Sequence, residues 1–134
     1  MKNYLVFAAI AGAVGVALGA FGAHGLKSIL TARGTLHAWE TAVLYQLVHA
    51  VALLSAGLHT SNADRSASWW RRACASWSVG MLLFSGSLVW LSLGGPRWIG
   101  PVTPIGGLAL IGGWIFLAIG ALTHSSAGND KPTS

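Results

Sequence analysis

Four long apolar stretches, separated by polar or glycine-rich segments, dominate the hydrophobic pattern of this chain. They cover residues 4–22, 41–58, 73–93 and 104–123. Each comes close to the roughly 20 apolar residues that an α-helix needs to cross the ~30 Å hydrocarbon core of a bilayer. The period-2 alternation of membrane β-strands is missing from the sequence. The pattern therefore predicts an all-α membrane protein with four transmembrane helices in a compact bundle.

The segments between the spans carry residues that end and start helices. A short amphipathic segment around Leu30 predicts an interfacial helix between spans 1 and 2. Gly34 is suited to end that helix, and Thr35 is suited to cap the next one. Residues 1–124 are expected to form a single transmembrane domain, followed by a polar, disordered tail over residues 125–134.

Composition agrees with a membrane location and argues against several kinds of enzyme. Charged residues make up 8% of the 134 residues, against about 25% in an average soluble domain. Three acidic residues are too few for a dinuclear carboxylate site, and one cysteine, Cys74, allows no intrachain disulfide or cysteine zinc site. The nucleophile elbow of a hydrolase and an acidic triad partner are also missing from the sequence. We therefore expect no enzymatic activity and no cofactor.

The net charge of +5 comes from basic residues scattered between the apolar runs. Nucleic-acid binding is not expected, because such surfaces gather their basic residues into a patch. Anionic lipid head groups explain the excess better. Five basic residues lie on the side that holds both termini and three on the other, so the positive-inside rule predicts cytoplasmic termini in an inner (plasma) membrane. A cleaved signal peptide is the alternative for the first span, whose apolar run exceeds the usual core of about 7–15 residues.

Small residues line faces of the predicted spans. Lipid provides no hydrophobic drive for helix pairing, so close backbone approach is a main source of helix association. Gly15 and Gly19 have the spacing of a G-x-x-x-G pair. Such faces fit packing inside one bundle, a homo-oligomer or contact with another membrane protein. The predicted packing glycines are Gly15, Gly19, Gly86, Gly106, Gly107, Gly112 and Gly113.

The second span holds the richest set of polar side chains at membrane depth. Gln46 and His49 lie near its middle. Intramembrane ionisable residues are candidates for function by default, although neutral His and Gln also bond between helices. The two serines beside Gly86 in the third span are predicted to approach Gln46 or His49. The candidate polar cluster consists of His24, Trp39, Glu40, Thr41, Tyr45, Gln46, His49, Ser85 and Ser87.

The five histidines raise the question of a metal site. His37 and His49 are about 18 Å apart along a helix with a rise of 1.5 Å per residue, so they cannot share an ion. His24, His37 and Glu40 could meet at one membrane surface, but the spacing of His37 and Glu40 is unspecific. We expect no metal site.

Four ordered blocks of the sequence resemble a known family. They cover residues 19–26, 41–50, 84–88 and 103–114 and begin with the motif Gly-Ala-Phe-Gly-Ala-His-Gly-Leu. Together they look like the small four-span proteins of "domain of unknown function 423", which include bacterial inner-membrane proteins and the transmembrane-protein-256-like proteins of animals. The resemblance covers most of the chain. It implies the four-span fold and the membrane location, and it brings no reaction, substrate or cofactor.

Three functions compete after these observations. The first is a non-enzymatic structural, assembly or accessory component of the membrane, indicated by the small size and the glycine-rich faces. The alternative is a small oligomeric transporter or channel that uses Tyr45, Gln46 and His49. This alternative lacks a carboxylate within a span, which weakens a proton pathway. A membrane enzyme or redox subunit is a third interpretation, for which cofactor ligands are sparse.

Overall fold

The structure, a computed structural model, describes residues 2–59 and 67–126. Four of its helices are long and apolar enough to cross a membrane. The predicted all-α fold with four spans and a short helix between the first two is therefore confirmed. The helices are α1 (Lys2–Ala23), α2 (Lys27–Ala32), α3 (Leu36–His59), α4 (Ala67–Ser92) and α5 (Val102–Ser126), with a 3₁₀ turn at Arg97–Ile99 before α5.

Several helices extend beyond the predicted apolar spans. α3 begins at Leu36 rather than near residue 41, and α4 begins at Ala67 rather than near residue 73. α5 continues to Ser126 and so includes the first two residues of the predicted tail, while residues 127–134 lie outside the described part of the chain. The apolar pattern underestimates these lengths because a helix bonds its own backbone and continues into polar head-group depth.

Two glycines end helices by adopting the left-handed conformation that other residues avoid. Gly34 has a φ of 67° and Gly94 a φ of 94°. After Gly34, the N–H of Thr35 donates to the carbonyl of Leu30 at 2.9 Å, which closes the last turn of α2. At the end of α4, the N–H of Gly95 makes the equivalent bond to the carbonyl of Trp90. Gly34 therefore ends the short helix as the sequence predicts.

Thr35 precedes α3, but its side chain does not cap that helix. Its hydroxyl donates instead to the carbonyl of Ser92 at 2.9 Å, across 57 positions of the chain. The predicted cap is therefore wrong. This hydrogen bond satisfies a carbonyl at the end of α4 that has no partner within its own helix. It therefore links the end of α4 to the start of α3.

The long helices pack as neighbours in chain order. α1 lies on α3, α3 on α4 and α4 on α5, and these three interfaces dominate the packing of the described residues. Large apolar side chains such as Val16, Leu82 and Leu108 are exposed on the outer faces, as expected for a surface solvated by lipid. The core between the helices is formed by Ala8, Ala11, Ala50, Leu53, Ala56, Ala73, Cys74, Trp77, Met81 and Leu110.

Aromatic residues of α4 face glycines of α5 at seven-residue intervals, an arrangement we call the aromatic–glycine ladder. A Cβ added to any of these glycines would press on the paired residue. At Gly106 the obstacle is the backbone of α4, so the two helices approach most closely there. Matching seven-residue repeats on both helices are typical of antiparallel knobs-into-holes packing. The pairs are Trp70 with Gly120, Trp77 with Gly113 and Phe84 with Gly106.

Candidate functional site

Trp39 shows how a buried polar atom is satisfied in this bundle. A helical side chain covers the turn that precedes it, so a glycine leaves the carbonyl of that turn accessible. The indole of Trp39 lies directly on Gly22 of α1. Its Nε1–H donates to the carbonyl of Leu18, one turn before Gly22, at 2.9 Å. Only 2% of Trp39 is exposed, which places it in the α1–α3 interface.

Gln46 makes the same kind of contact with α1, about two helical turns deeper in the membrane than Trp39. A Cβ at Gly15 would lie 3.2 Å from Cγ of Gln46 and 2.7 Å from Cδ2 of Leu47. The amide Nε2 of Gln46 donates to the carbonyl of Ala11 at 3.3 Å, again one turn before the glycine. Gln46 therefore points to α1.

The α4–α5 interface uses the same geometry twice. The indole of Trp77 lies on Gly113 and donates from Nε1 to the carbonyl of Leu110 at 3.2 Å. The hydroxyl of Ser76 donates to the carbonyl of Ala109 at 2.6 Å. Both carbonyls belong to the turn before Gly113, so the missing side chain leaves room for two donors.

Trp70 has the same placement without the hydrogen bond. Its Nε1 would lie 3.0 Å from a Cβ at Gly120, yet it is buried with no acceptor among the described residues. The ring of His59, at the end of α3, stacks on Trp70 with centroids 4.2 Å apart. Trp70 thus connects the ends of α3 and α4 through ring packing.

His49 bonds through both ring nitrogens. Nε1 of Trp114 always carries a hydrogen, so at 3.1 Å it donates to Nε2 of His49. The proton of the neutral imidazole then belongs on Nδ1, which lies 2.8 Å from the carbonyl of Tyr45. A second proton on Nε2 would oppose the indole N–H donor to donor. The arrangement therefore favours the neutral ring and links α3 to α5.

The structure separates Gln46 from the other two residues of the predicted transport cluster, Tyr45 and His49. Tyr45 is 41% exposed, and its ring packs on Phe84 at 4.7 Å between centroids. Its ring also stacks on His49 at 5.9 Å. Gln46, in contrast, bonds to α1. Tyr45 and His49 are thus in contact, whereas Gln46 serves another interface.

The two serines of α4 have different surroundings. The hydroxyl of Ser87 lies 2.7 Å from that of Thr103 in α5, so it does not approach Gln46 or His49 as predicted. Ser85 is 3% exposed, and its hydroxyl has no hydrogen-bond partner among the described residues. It lines, together with Gln46, a cleft of about 300 Å³ between α1, α3 and α4. Ser85 and Gln46 thus line the same cleft, while the amide of Gln46 bonds to α1.

The remaining cluster residues lie toward the opposite end of the bundle from His59. His24 and Glu40 are exposed, and the hydroxyl of Thr41 donates to the carbonyl of His37 in its own helix at 2.9 Å. Within residues 2–59 and 67–126, no three metal-binding side chains gather in one place. The predicted polar cluster is thus a set of separate contacts along the bundle.

Most of the predicted packing glycines face a neighbouring helix. Gly86 differs, because an added Cβ would meet no atom within 4 Å, so its predicted packing role is not found among the residues that the structure describes. The glycines whose added Cβ would reach a neighbouring helix are Gly15 and Gly19 on α1, and Gly106, Gly107, Gly112 and Gly113 on α5.

The sequence reasoning missed Ser76, Trp77 and Trp114 as bonding residues. Their signals were present: Trp114 is an indole in the middle of a span, away from the head-group depth that tryptophan prefers. Trp77 follows Trp70 by seven residues, as Gly120 follows Gly113. Recognising these repeats as partners required the pairing of α4 with α5.

Comparison with known sequences identifies the family that the chain matches. The chain matches the family model "Protein of unknown function (DUF423)" over residues 18–107. A UPF0382 membrane protein of Haemophilus influenzae is 43% identical over 128 residues, which cover 94% of this chain and 99% of that protein. The UPF0382 inner membrane protein YgdD of Escherichia coli is 40% identical over 119 residues, 88% of each chain. No solved structure matches at a significant level.

Proposed function

The chain belongs to DUF423, a family of membrane proteins of unknown function, and we propose that it is a non-enzymatic structural, assembly or accessory component of the inner membrane. Its relatives are named membrane and inner membrane proteins. Together with four candidate spans, these names identify an integral, multi-pass membrane protein. The finer role rests on how the chain uses its polar side chains.

The observation that carries the proposal is the bonding of polar side chains at membrane depth. Trp39, Gln46 and Trp77 donate to backbone carbonyls of a neighbouring helix. His49 and Trp114 bond to each other across two helices. Bonds of this kind join helices in lipid, where an unsatisfied polar group is costly. They support a packing role and leave these atoms engaged in the resting bundle.

The transporter alternative receives less support from the same contacts. A proton pathway needs titratable groups in sequence along one route, and these are rare and functional inside membranes. His49 is held between two fixed partners, and Gln46 bonds to α1. Glu40, the acidic residue among those described, is exposed near the start of α3. An accessory or assembly role, in contrast, requires only a stable bundle with outer faces for other membrane components.

Reconstitution and native extraction test this proposal together. We expect a pH gradient across liposomes that contain the purified protein to decay as slowly as across empty liposomes. The His49→Gln variant should give the same decay rate. We also expect mild extraction of the chromosomally expressed protein to yield a defined complex with another membrane protein. Proton flux above the empty-liposome rate that His49→Gln abolishes would contradict the proposal and favour the transporter.

A further inference from the structure

A second cleft opens between α3 and α5, and we call it the aromatic cleft. Its volume is about 400 Å³, and α4 provides Trp70 and Trp77 to its surface. The α3 wall is built from small residues, among them Ala52 and Ser55, while α5 contributes Trp114. Trp114 is 45% exposed despite its bond to His49. The cleft exists because the α3 residues that precede His59 on this face, Ala52, Ser55 and Ala56, are small.

The depth of the aromatic cleft matches one leaflet of a bilayer. One end is marked by His59, the last residue of α3. The other end is marked by Trp114, which bonds to His49 near the middle of the span. Ten residues of α3 separate the two histidines, which corresponds to about 15 Å along a helix. This is half of the ~30 Å hydrocarbon core.

The lining of the aromatic cleft determines what can fill it. Its surface is mainly indole rings and alanine methyl groups, and the hydroxyl of Ser55 donates to the carbonyl of Val51 in its own helix. A cavity holds water when it offers several polar partners, and this lining offers few. Inside a bilayer the available filling is therefore hydrocarbon. A single lipid chain entering from the head-group end fits the depth and the chemistry.

The charge at the head-group end identifies the type of lipid. Lys2, Arg71 and Arg72 are exposed at this end of the bundle, and the guanidinium of Arg72 lies 4.5 Å above the ring of Trp69. Among residues 2–59 and 67–126 the one acidic side chain, Glu40, lies toward the opposite end. Basic side chains beside a membrane attract anionic lipids.

We propose that the aromatic cleft binds one acyl chain of an anionic phospholipid, whose phosphate lies at the end marked by His59, Arg71 and Arg72. The tryptophan rings hold the chain through apolar contact, and the basic side chains select the head group. Two of the lining residues, Trp77 and Trp114, also make hydrogen bonds that join helices, so the cleft is built on the stable part of the bundle. It does not depend on whether the protein has a partner protein.

Native mass spectrometry of the purified protein in detergent tests this site with two probes, phosphatidylglycerol and phosphatidylcholine. We expect one saturable phosphatidylglycerol adduct that binds about tenfold more tightly than phosphatidylcholine, a modest value for two basic residues beside an anionic head group. Ser55→Leu places a larger side chain in the cleft from an exposed position and should weaken the adduct about tenfold. The double variant Arg71→Gln/Arg72→Gln should bind phosphatidylglycerol as weakly as phosphatidylcholine.

Matched variants separate this site from general lipid contact. Ala17→Leu adds the same bulk at an exposed position of α1, and Lys27→Gln removes a charge at the opposite end of the bundle; both should keep the adduct. The helix content and melting temperature of Ser55→Leu should equal those of the unmodified protein. Retention of the adduct in Ser55→Leu would overturn the cleft as its location. Equal affinity for the two lipids in the unmodified protein would overturn the selection of an anionic head group.

Discussion

His49 and Trp114 form the side-chain bond that links α3 to α5. The indole N–H donates to Nε2 at 3.1 Å, while Nδ1 is engaged with the carbonyl of Tyr45. His49 is 5% exposed. Since the low dielectric of the interior raises the cost of an unpaired polar atom, removal of the indole donor leaves Nε2 without compensation. The bond is therefore expected to contribute to stability.

Replacing this donor gives a prediction at the residue scale. Trp114→Phe keeps a ring in the α5 wall and removes the N–H. It should lower the unfolding free energy by about 0.6–1.7 kcal/mol, from the average to the maximum found by double-mutant cycles for hydrogen bonds between membrane helices. Thermal or denaturant unfolding in detergent measures the change. Trp98→Phe, at a position that is 76% exposed, is the control and should have no effect. An equal loss in both variants would show that the His49 bond contributes nothing.

The aromatic–glycine ladder determines how α4 and α5 fit together at the scale of elements. At each glycine, a ring or the backbone of α4 lies so close that a larger residue would clash with it. Polar bonds between the two helices accompany the ladder: Trp77 donates to the carbonyl of Leu110, and the hydroxyls of Ser87 and Thr103 share a hydrogen bond. Small residues and hydrogen bonds thus occur together, as expected where lipid supplies no hydrophobic drive for helix association.

A pair of glycine substitutions tests this interface. Gly106→Ala places a Cβ against the backbone of Phe84, which cannot rotate away. We expect a loss of about 1–3 kcal/mol in unfolding free energy, the usual cost of overpacking. Gly86→Ala is the matched control, since its Cβ meets no atom within 4 Å. That variant should be as stable as the unmodified protein or slightly more stable, because alanine favours a helix. If Gly106→Ala unfolded under the same conditions as Gly86→Ala, the close approach would be refuted.

The bundle as a whole has two ends of different charge. Among the described residues, three basic side chains lie at each end: Lys2, Arg71 and Arg72 at the end that holds the N-terminus, and Lys27, Arg33 and Arg97 at the other, where Glu40 also lies. The sequence adds Arg65 and Lys131 to the side of the termini. On the count over the whole sequence, the positive-inside rule predicts that the end with the termini faces the cytoplasm. This orientation also determines which leaflet would supply the lipid for the aromatic cleft.

Cysteine labelling in intact cells tests the orientation. Cys74 is fully buried, so the native thiol should give little background. We expect Lys27→Cys to react with a membrane-impermeant maleimide in spheroplasts or intact cells. Lys2→Cys should react only after the membrane is opened. The reverse pattern would place both termini outside the cytoplasm.

The apolar lengths and helix-ending residues by themselves determined the number and type of the elements. The four spans follow from long apolar segments, which cross lipid as helices because a helix satisfies its own backbone hydrogen bonds. Gly34 ends α2 because glycine adopts a positive φ without strain. These features depend on positions close together in the chain. The resemblance to the family likewise rested on sequence blocks, and the match over residues 18–107 confirms it.

The partners of the polar side chains were decided by tertiary structure alone. Ser87 bonds to Thr103 rather than to the second span, and Gln46 bonds to a carbonyl of α1 that is accessible because Gly15 follows it by one turn. Trp114 meets His49 across 65 positions of the chain. Such pairs depend on which helices are neighbours and on their rotation and axial register. A hydrophobic pattern specifies none of these, because in lipid every face of a span can be apolar.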